Sequence, residues 1–466
     1  MSRAARPDTL WASGPRLDRL MFDYTVGDDR VWDGRLLRWD VLGSLGHVEG
    51  LRASGLITAA DHARLRRGLR AALAAVDAGR LVVGPKHEDA HSAVEAWLTR
   101  REAGAGARLH TGRSRNDQIA CDLRLFLKDR LLAVHGRALE LVASLIAFAR
   151  RHRTALWPGY THQRRAMPSS AGMWAAGYAS GLLDTAESLP ALWATLDRSP
   201  LGSAAGYGVA LPLRREAAVQ ALGFAGVEHA VTAVQNGRGK LEAAALFWCA
   251  QLGHDAGKLA ADVALFTAEE YGYLVLPPEL ATGSSIMPHK RNPDLFELTR
   301  ARVAAVEGDL ATVMRIKAAL PGGYHRDFQL LKEPLIRGLQ RTEELLGMLA
   351  YAVAGLQVDR ARSAAALDGG ALATDEVMRR VEAGRAFRRA YREVAAALEA
   401  GERFPAPSKS ALLARRRSTG GLGNLGLPAS AARLRAARRW GERQRTRFDR
   451  AMRVLAGPAR KWRGRR

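Results

Sequence analysis

Residues 283–293 read Gly-Ser-Ser-Ile-Met-Pro-His-Lys-Arg-Asn-Pro, and the chain runs on through Asp294-Leu295-Phe296-Glu297. This is a Gly/Ser loop carrying a lysine and opening a helix. Asn292 is suited to the N-cap, Pro293 to the first helical position, and Asp294 and Glu297 fall in the first turn. A helix start of this kind presents unpaired backbone N–H groups and a partial positive charge, so it attracts carboxylates. Lys290 adds a full charge beside it, and Ser284 and Ser285 supply hydroxyls on a backbone that can move. Three residues of this type would make an ordinary turn. Eleven in succession point to an anion-binding loop.

Outward from this loop the chain reads as helix almost everywhere. After Pro293 a helical segment continues to Leu320 and stops at Pro321, and another follows Pro334. Upstream, Asn116 to about Arg150 holds no proline, and Ile119, Leu123, Phe126, Leu127, Leu131, Val134, Leu141, Leu145 and Phe148 recur at helical spacing. Further segments run from Ser169 to Asp197, with Pro190 a place for a kink, and from Leu241 to about Glu270. Strand signals are nearly absent. Leu241 to Val263 is apolar around most of its circumference, and such a helix must be buried on every side. One chain's bundle cannot easily cover so many long apolar helices. The expectation is therefore an all-α, three-part subunit whose central long-helix bundle is shared in a homotetramer. Residues 1–112 form an N-terminal helical domain, 113–357 the central bundle, and 358–466 a small C-terminal helical domain with a basic tail.

The 466 residues suffice for a large core. No apolar run is read as a membrane span, and Met1 to Asp8 carries no signal-peptide core, so no membrane partner is expected. Cys121 and Cys249, the two cysteines, fall in apolar helical stretches. They are expected to serve packing in a reducing cytoplasm, without disulfides. The net charge of +24 is concentrated after residue 400, in Arg415-Arg416-Arg417 and from Arg433 to Arg466. No RNA-binding motif with interleaved aromatics, zinc spacing or helix-turn-helix pattern accompanies it, so a solvated, partly disordered tail is expected rather than a nucleic-acid partner.

Four further segments carry chemistry. His110-Thr111-Gly112-Arg113-Ser114-Arg115-Asn116-Asp117-Gln118 is a second polar loop feeding a helix. Ser114 and Asp117 have the spacing of a capping box, and Arg113 and Arg115 flank the positive helix end. Gly159-Tyr160-Thr161-His162 reads as a loop closing the long helix before it. Tyr324 to Lys332 gathers a phenol, an amide and cations after the Pro321-Gly322-Gly323 break, a plausible clamp for carboxylates. Glu88-Asp89-Ala90-His91 fits no familiar zinc spacing and reads as a structural or substrate loop, with no metal expected.

These segments, in this order and at these separations, resemble the argininosuccinate lyase family of the fumarase/aspartase superfamily over most of residues 15–395. HTGRSRNDQ is the most diagnostic match, and GSSxMPxKxNP is common to the superfamily. PGYTH with its following RAxP, Tyr324-x4-Gln329-x2-Lys332, and Ala373-Thr374-Asp375 followed by Phe387-Arg388 also match. Departures fall at Gln163, Arg164, Met167, His289 and Gly239, and they bear on rate and fine specificity rather than reaction class.

The resemblance implies reversible anti elimination of argininosuccinate to arginine and fumarate, the last step of arginine biosynthesis, with no cofactor or metal. It implies Ser284 as base and His162 as acid, with Glu297 orienting that histidine. Lys290, Asn292 and the loop's N–H groups would stabilise the aci-carboxylate. Thr25, Arg115, Asn116, Thr161, Asn292, Tyr324, Gln329 and Lys332 would bind substrate, at sites assembled from three subunits of a homotetramer. A sister lyase acting on adenylosuccinate, or a non-catalytic crystallin-like scaffold, are the alternatives.

Overall fold

The structure, a computed structural model, describes residues 18–405 and 407–457. Met1 to Asp8 and the basic residues beyond 457 lie outside the described part. The N-terminal region holds α1 (Arg19–Val26), α2 (Asp29–Ala53), α3 (Ala59–Asp77), α4 (Ala90–Arg101) and the short α5 (Ala103–Gly106). Thr58 and Asp89 start α3 and α4 by accepting the backbone N–H of Asp61 and Ser92.

The central region is built on α6 (Arg115–Arg151), whose 37 residues span about 55 Å. With it run α7 (Ala171–Leu196), α8 (Arg215–Leu222), α9 (Val231–Asn236), α10 (Lys240–Phe266), α11 (Asp294–Ala318) and α12 (Lys332–Gly355). The last region holds α13 (Arg360–Ala365), α14 (Ala373–Glu382), α15 (Phe387–Glu399), α16 (Lys409–Arg415) and α17 (Leu427–Ala456). The fold is all-α, organised around the long central helices.

One continuous core joins α2, α3, α4, α6, α7, α10, α11, α12 and α17. α10 buries Leu246, Trp248, Leu252, Leu259 and Val263, while Phe247 and Leu265 stay exposed. Where α10 meets α11, Gly253 faces Val303, and an added methyl would sit 3.3 Å from that side chain. An alanine there would press on Val303 and require it to yield by a few tenths of an ångström. Pro190 lies inside α7. Cys121 and Cys249 are free and buried.

Four sequence expectations need correction. The segment around Gly159 is a β-hairpin, not a loop: β1 (Leu156–Thr161) pairs antiparallel with β2 (Arg164–Ser170). Its two-residue turn is His162-Gln163, with φ of 51° and 58°. That is the left-handed backbone which hairpin turns require and which Asn-Gly usually supplies. Second, Asn292 does not cap α11. It exchanges backbone hydrogen bonds with Thr282, and Pro293 occupies the cap position. Third, α12 begins at Lys332, two residues before Pro334, which sits in the first turn where no N–H is needed.

Fourth, residues 427–456 are a 30-residue helix rather than a disordered tail. Leu434, Phe448, Met452 and Leu455 bury its inner face, and Arg433 and Arg445 staple it to Asp184, Glu187 and Asp129. α17 thus returns to the main core, while α14, α15 and Phe404 form a small core of their own.

α6 also contains a window of mean hydropathy 1.6, long and apolar enough by composition to cross a bilayer. Its surroundings account for that apolarity. It is enclosed by other helices and carries the buried charged residues Asp117, Asp122, Lys128 and Asp129, which marks a core helix.

His135 on α6 shows how strongly the core resists charge. Its ring is 2% exposed and meets Trp440 edge-on at 5.4 Å, and burial holds its pKa down at about 4. In the unfolded chain the same group titrates near 6.5. Between these values the unfolded state binds the extra proton, so this contribution is complete above about 6.5 and is lost as pH falls toward 4. Acidification from pH 7.5 to 5 is expected to remove about 2 kcal/mol through this residue. Urea denaturation of wild type and His135→Leu at fixed protein concentration checks this, since the variant's stability should fall less over the same interval.

Candidate active site

The HTGRSRNDQ loop earns its density of polar residues by tying together several segments. Ser114 and Asp117 form the capping box of α6. The second oxygen of Asp117 accepts the N–H groups of Gly202 and Ala204, both at 2.9 Å, and so anchors the loop that follows α7. Burial pushes the Asp117 carboxyl up to about 6 against these backbone donors. Arg113 donates to Ser44 on α2, and Gln118 to Asp40.

Arg115 and Asn116 are left facing a cleft of about 220 Å³. Tyr324, Gln329 and Lys332 line the same cleft, so five residues from two distant segments converge on one place. The remaining wall is ionic. Lys332 is buried and bonds Asp29 at 2.7 Å and Asp33. Arg115 bridges Glu88 at 2.9 Å and Asp89 at 3.0 Å, and Arg326 approaches Glu88 at 3.4 Å. Arg238, also on the wall, is held by Glu242 at 3.0 Å and lies over the Phe328 ring.

Four carboxylates thus face four cations. Burial lifts Asp29 to about 6, with Lys332 opposing. Burial works to lower Lys332, but Asp33 and Asp29 outweigh it and the ammonium is held firmly charged. Burial likewise works against the Asp89 anion, and His91 and Arg115 keep it below the usual range. Such a lattice can receive a zwitterion carrying both carboxylates and a guanidinium by exchanging partners, without importing net charge.

Thr25 enters through its backbone. Its carbonyl accepts Gln329 at 3.0 Å and Arg326 at 3.1 Å, while its hydroxyl is turned onto Phe22 of its own helix. Arg326 was among the cations of the Tyr324 to Lys332 clamp, whereas Asp29 and Asp33 were not legible as site residues. The only sequence signal of those two is an acidic i, i+4 pair at the start of α2.

Thr161, His162, Ser284, Lys290, Asn292 and Glu297 do not line this cleft. The Ser284 loop is closed at its base by the Thr282–Asn292 pairing, and Asn292 also donates to the carbonyl of Gly283 at 3.3 Å. Ser284 Oγ accepts the N–H of Met287 at 3.2 Å and of Ile286 at 3.4 Å. Lys290 is exposed and has no side-chain partner among the described residues, and Ile286 is 82% exposed. His162 stands at the exposed hairpin tip, and no bond joins it to Glu297 within the chain.

That tip is braced from both strands. Tyr160 packs among Phe266, Tyr271 and Tyr273, with its hydroxyl 2.7 Å from that of Tyr273. Arg165, opposite Tyr160 in the hairpin, reaches Asp368 at 2.8 Å.

Among the described residues, Asp40, His91 and Asp122 are a buried group with donor atoms close enough to hold a metal ion. The imidazole of His91 is already bonded to Asp40, which also accepts Gln118 at 2.8 Å. Burial, and then the neighbouring Asp40 charge, push the Asp122 carboxyl well above the usual range. The group reads as a brace behind the cleft rather than a metal centre.

Residues 21–308 match the family described as lyase, and the long-helix architecture agrees with it. An EDDS lyase solved with formate superposes with a TM-score of 0.78 at 24% identity over 95% of both chains. A class II fumarase from Schistosoma mansoni superposes with a TM-score of 0.70 at 16% identity, over 82% of this chain and 89% of that one. These two likenesses concern the fold. Sequence resolves the class further. An argininosuccinate lyase of Sorangium cellulosum is 43% identical over 91% of this chain and 98% of its own length. One of Stenotrophomonas maltophilia is 40% identical over 92% and 99%. The chain belongs to the argininosuccinate lyase family.

Proposed function

We propose that this protein cleaves argininosuccinate to arginine and fumarate, reversibly, as the last step of arginine biosynthesis. The observation that carries this reading is the convergence of Arg115, Asn116, Tyr324, Gln329 and Lys332 on one charge-balanced cleft. Ser284 removes the proton next to the carboxylate. Its oxygen already accepts two backbone N–H groups, which favours the charged form it must approach. Lys290 and Asn292 stabilise the aci-carboxylate, Thr161 binds beside them, and His162, oriented by Glu297, protonates the departing guanidino nitrogen.

The sites are completed between subunits of a homotetramer. This is supported by the placement of Ser284, Lys290 and His162 on exposed loops away from the cleft of their own chain. A reducing cytoplasmic setting is consistent with two buried free thiols. Neither a sister lyase nor a non-catalytic scaffold is favoured by the relatives.

The test is fumarate release, followed by ultraviolet absorbance, from argininosuccinate and separately from adenylosuccinate. Turnover of the first alone is expected. Turnover of the second alone, or of neither, would overturn the reading.

The hairpin brace gives a finer expectation. Tyr273→Phe removes one hydroxyl and leaves the ring packing, so Tyr160 keeps Arg165 but loses Tyr273 as a partner, and His162 is held less firmly. As a positioning effect, kcat should fall about fivefold with KM nearly unchanged, as for interactions realised mainly in the transition state. Steady-state kinetics beside a thermal melt would separate this from a loss of fold.

A further inference from the structure

We infer that the outer face of α17 is a sequence-independent binding surface for the sugar-phosphate backbone of nucleic acid. Residues 427–466 contain fourteen Arg and Lys against only Glu442 and Asp449, so half of the chain's net charge of +24 lies in its last forty residues. The structure divides the arginines of α17 into two sets. Arg433 and Arg445 are spent on acidic residues of other helices, and Arg447 approaches Asp197 at 3.5 Å. Arg435, Arg439, Arg443 and Arg450 are exposed and make no hydrogen bond or ion pair among the described residues.

At 100° per residue these four fall on one stripe, opposite Leu434, Phe448, Met452 and Leu455. Arg439 and Arg443 are four residues apart, a spacing at which like charges repel on a helix. Among the described residues no ion pair neutralises these four arginines, and Glu442 is the one carboxylate in the groove beside them, so a partner rich in negative charge is the counterpart that would.

The shape selects among polyanions. The groove along this stripe is lined by Arg439, Glu442, Arg443, Thr446, Arg447 and Arg450, all from one helix. Built from one helix alone, it is a shallow, open groove, which suits a long chain of phosphates rather than a small anion that must be enclosed. The apolar face of α17 is already buried in the core, so the helix has none to insert into a bilayer. Successive arginines four residues apart rise by about 6 Å, against a phosphate every ~3.4 Å along each strand. Arg435, Arg439 and Arg443 can therefore follow one strand, meeting about every second phosphate, with Arg450 about 10 Å further along. Contacts to phosphates carry no sequence information, so sequence preference is not expected.

The experiment is fluorescence-anisotropy titration of the full-length protein with a 20-nucleotide single-stranded RNA and a 20-base-pair DNA across a series of salt concentrations. Four phosphate contacts predict a slope of log K against log salt of about −3 for the RNA and about −4 for the duplex. Arg439→Ala/Arg443→Ala/Arg450→Ala should weaken binding at least tenfold at low salt and bring the slope near −1, with the melting temperature and lyase turnover unchanged. Vesicles containing an anionic phospholipid are titrated alongside. Absence of nucleic-acid binding, equal binding by the triple variant, or a preference for the vesicles would each overturn the inference.

Discussion

Ser284→Ala is expected to lower kcat for argininosuccinate cleavage by about three orders of magnitude while leaving KM within a few-fold, the pattern for loss of a group that acts on a proton in the transition state. The hydroxyl makes no contact that the fold depends on. It accepts two N–H groups inside its own loop, and the base of that loop is closed independently by Thr282 and Asn292. A folded but inactive variant is therefore the expected product, and retention of a few per cent of activity would remove Ser284 from the role of base. The same variant tests whether sites are shared. Asn116→Ala alters the cleft, and Ser284→Ala alters the exposed loop of the same chain. If each site is completed by loops from neighbouring subunits, some sites in a mixed tetramer contain neither substitution. Unfolding and refolding the two inactive variants together should then restore activity. No recovery in tetramers shown to be mixed would mean that each chain builds its own site.

The helices were legible because burial along them is periodic and their stops are marked by residues that cannot continue. Pro321 ends α11, and the capping box of Ser114 and Asp117 starts α6 where the spacing placed it. The hairpin was not legible, because its turn carries His162-Gln163 where the conformation ordinarily calls for asparagine or glycine. A turn made from unfavourable residues leaves no local signature, and its cost is met by the tertiary brace through Tyr160 and Arg165. α17 was hidden differently. Its arginines outnumber its apolar residues larger than alanine, so composition suggested a solvated tail, yet Leu434, Phe448, Met452 and Leu455 keep one face to the core.

The cleft was half legible. The motif residues Arg115, Asn116, Tyr324, Gln329 and Lys332 lie in polar segments that stood out by composition and gained their role from the family resemblance, whereas Asp29 and Asp33 matter only because Lys332, some 300 residues later, folds against them. Pairings of that range belong to the topology and have no local pattern.

The same long-range logic makes the junction of α6, α8 and α17 the most sensitive place in the core. Lys128 is 1% exposed and donates to Asp197 at 2.5 Å and to the carbonyl of Gly223 at 3.0 Å. Its ammonium lies 4.5 Å from the Phe224 ring and 5.5 Å from those of Trp193 and Phe448. Burial lowers its pKa, and Asp197 resists that pull. Asp197→Ala removes the opposing charge from an ammonium that water cannot reach, and should destabilise the protein by about 3–5 kcal/mol, the cost of breaking a buried pair by deleting one partner. The loss should depend on pH in a particular direction. Without Asp197 the buried amine favours its neutral form, while in the unfolded chain it stays protonated to about pH 10. The unfolded state then binds the extra proton, so the variant should regain up to about 1.4 kcal/mol per pH unit between 7 and 9, more than the wild type, in which Asp197 opposes the loss of that proton. Chemical denaturation at the two pH values would show it. Lys128→Met/Asp197→Ala should be more stable at pH 7 than Asp197→Ala alone, because the second substitution removes the stranded charge rather than a further contact. A double variant no better than the single one would mean that the damage comes from lost packing around the three rings, and that the ion pair contributes little.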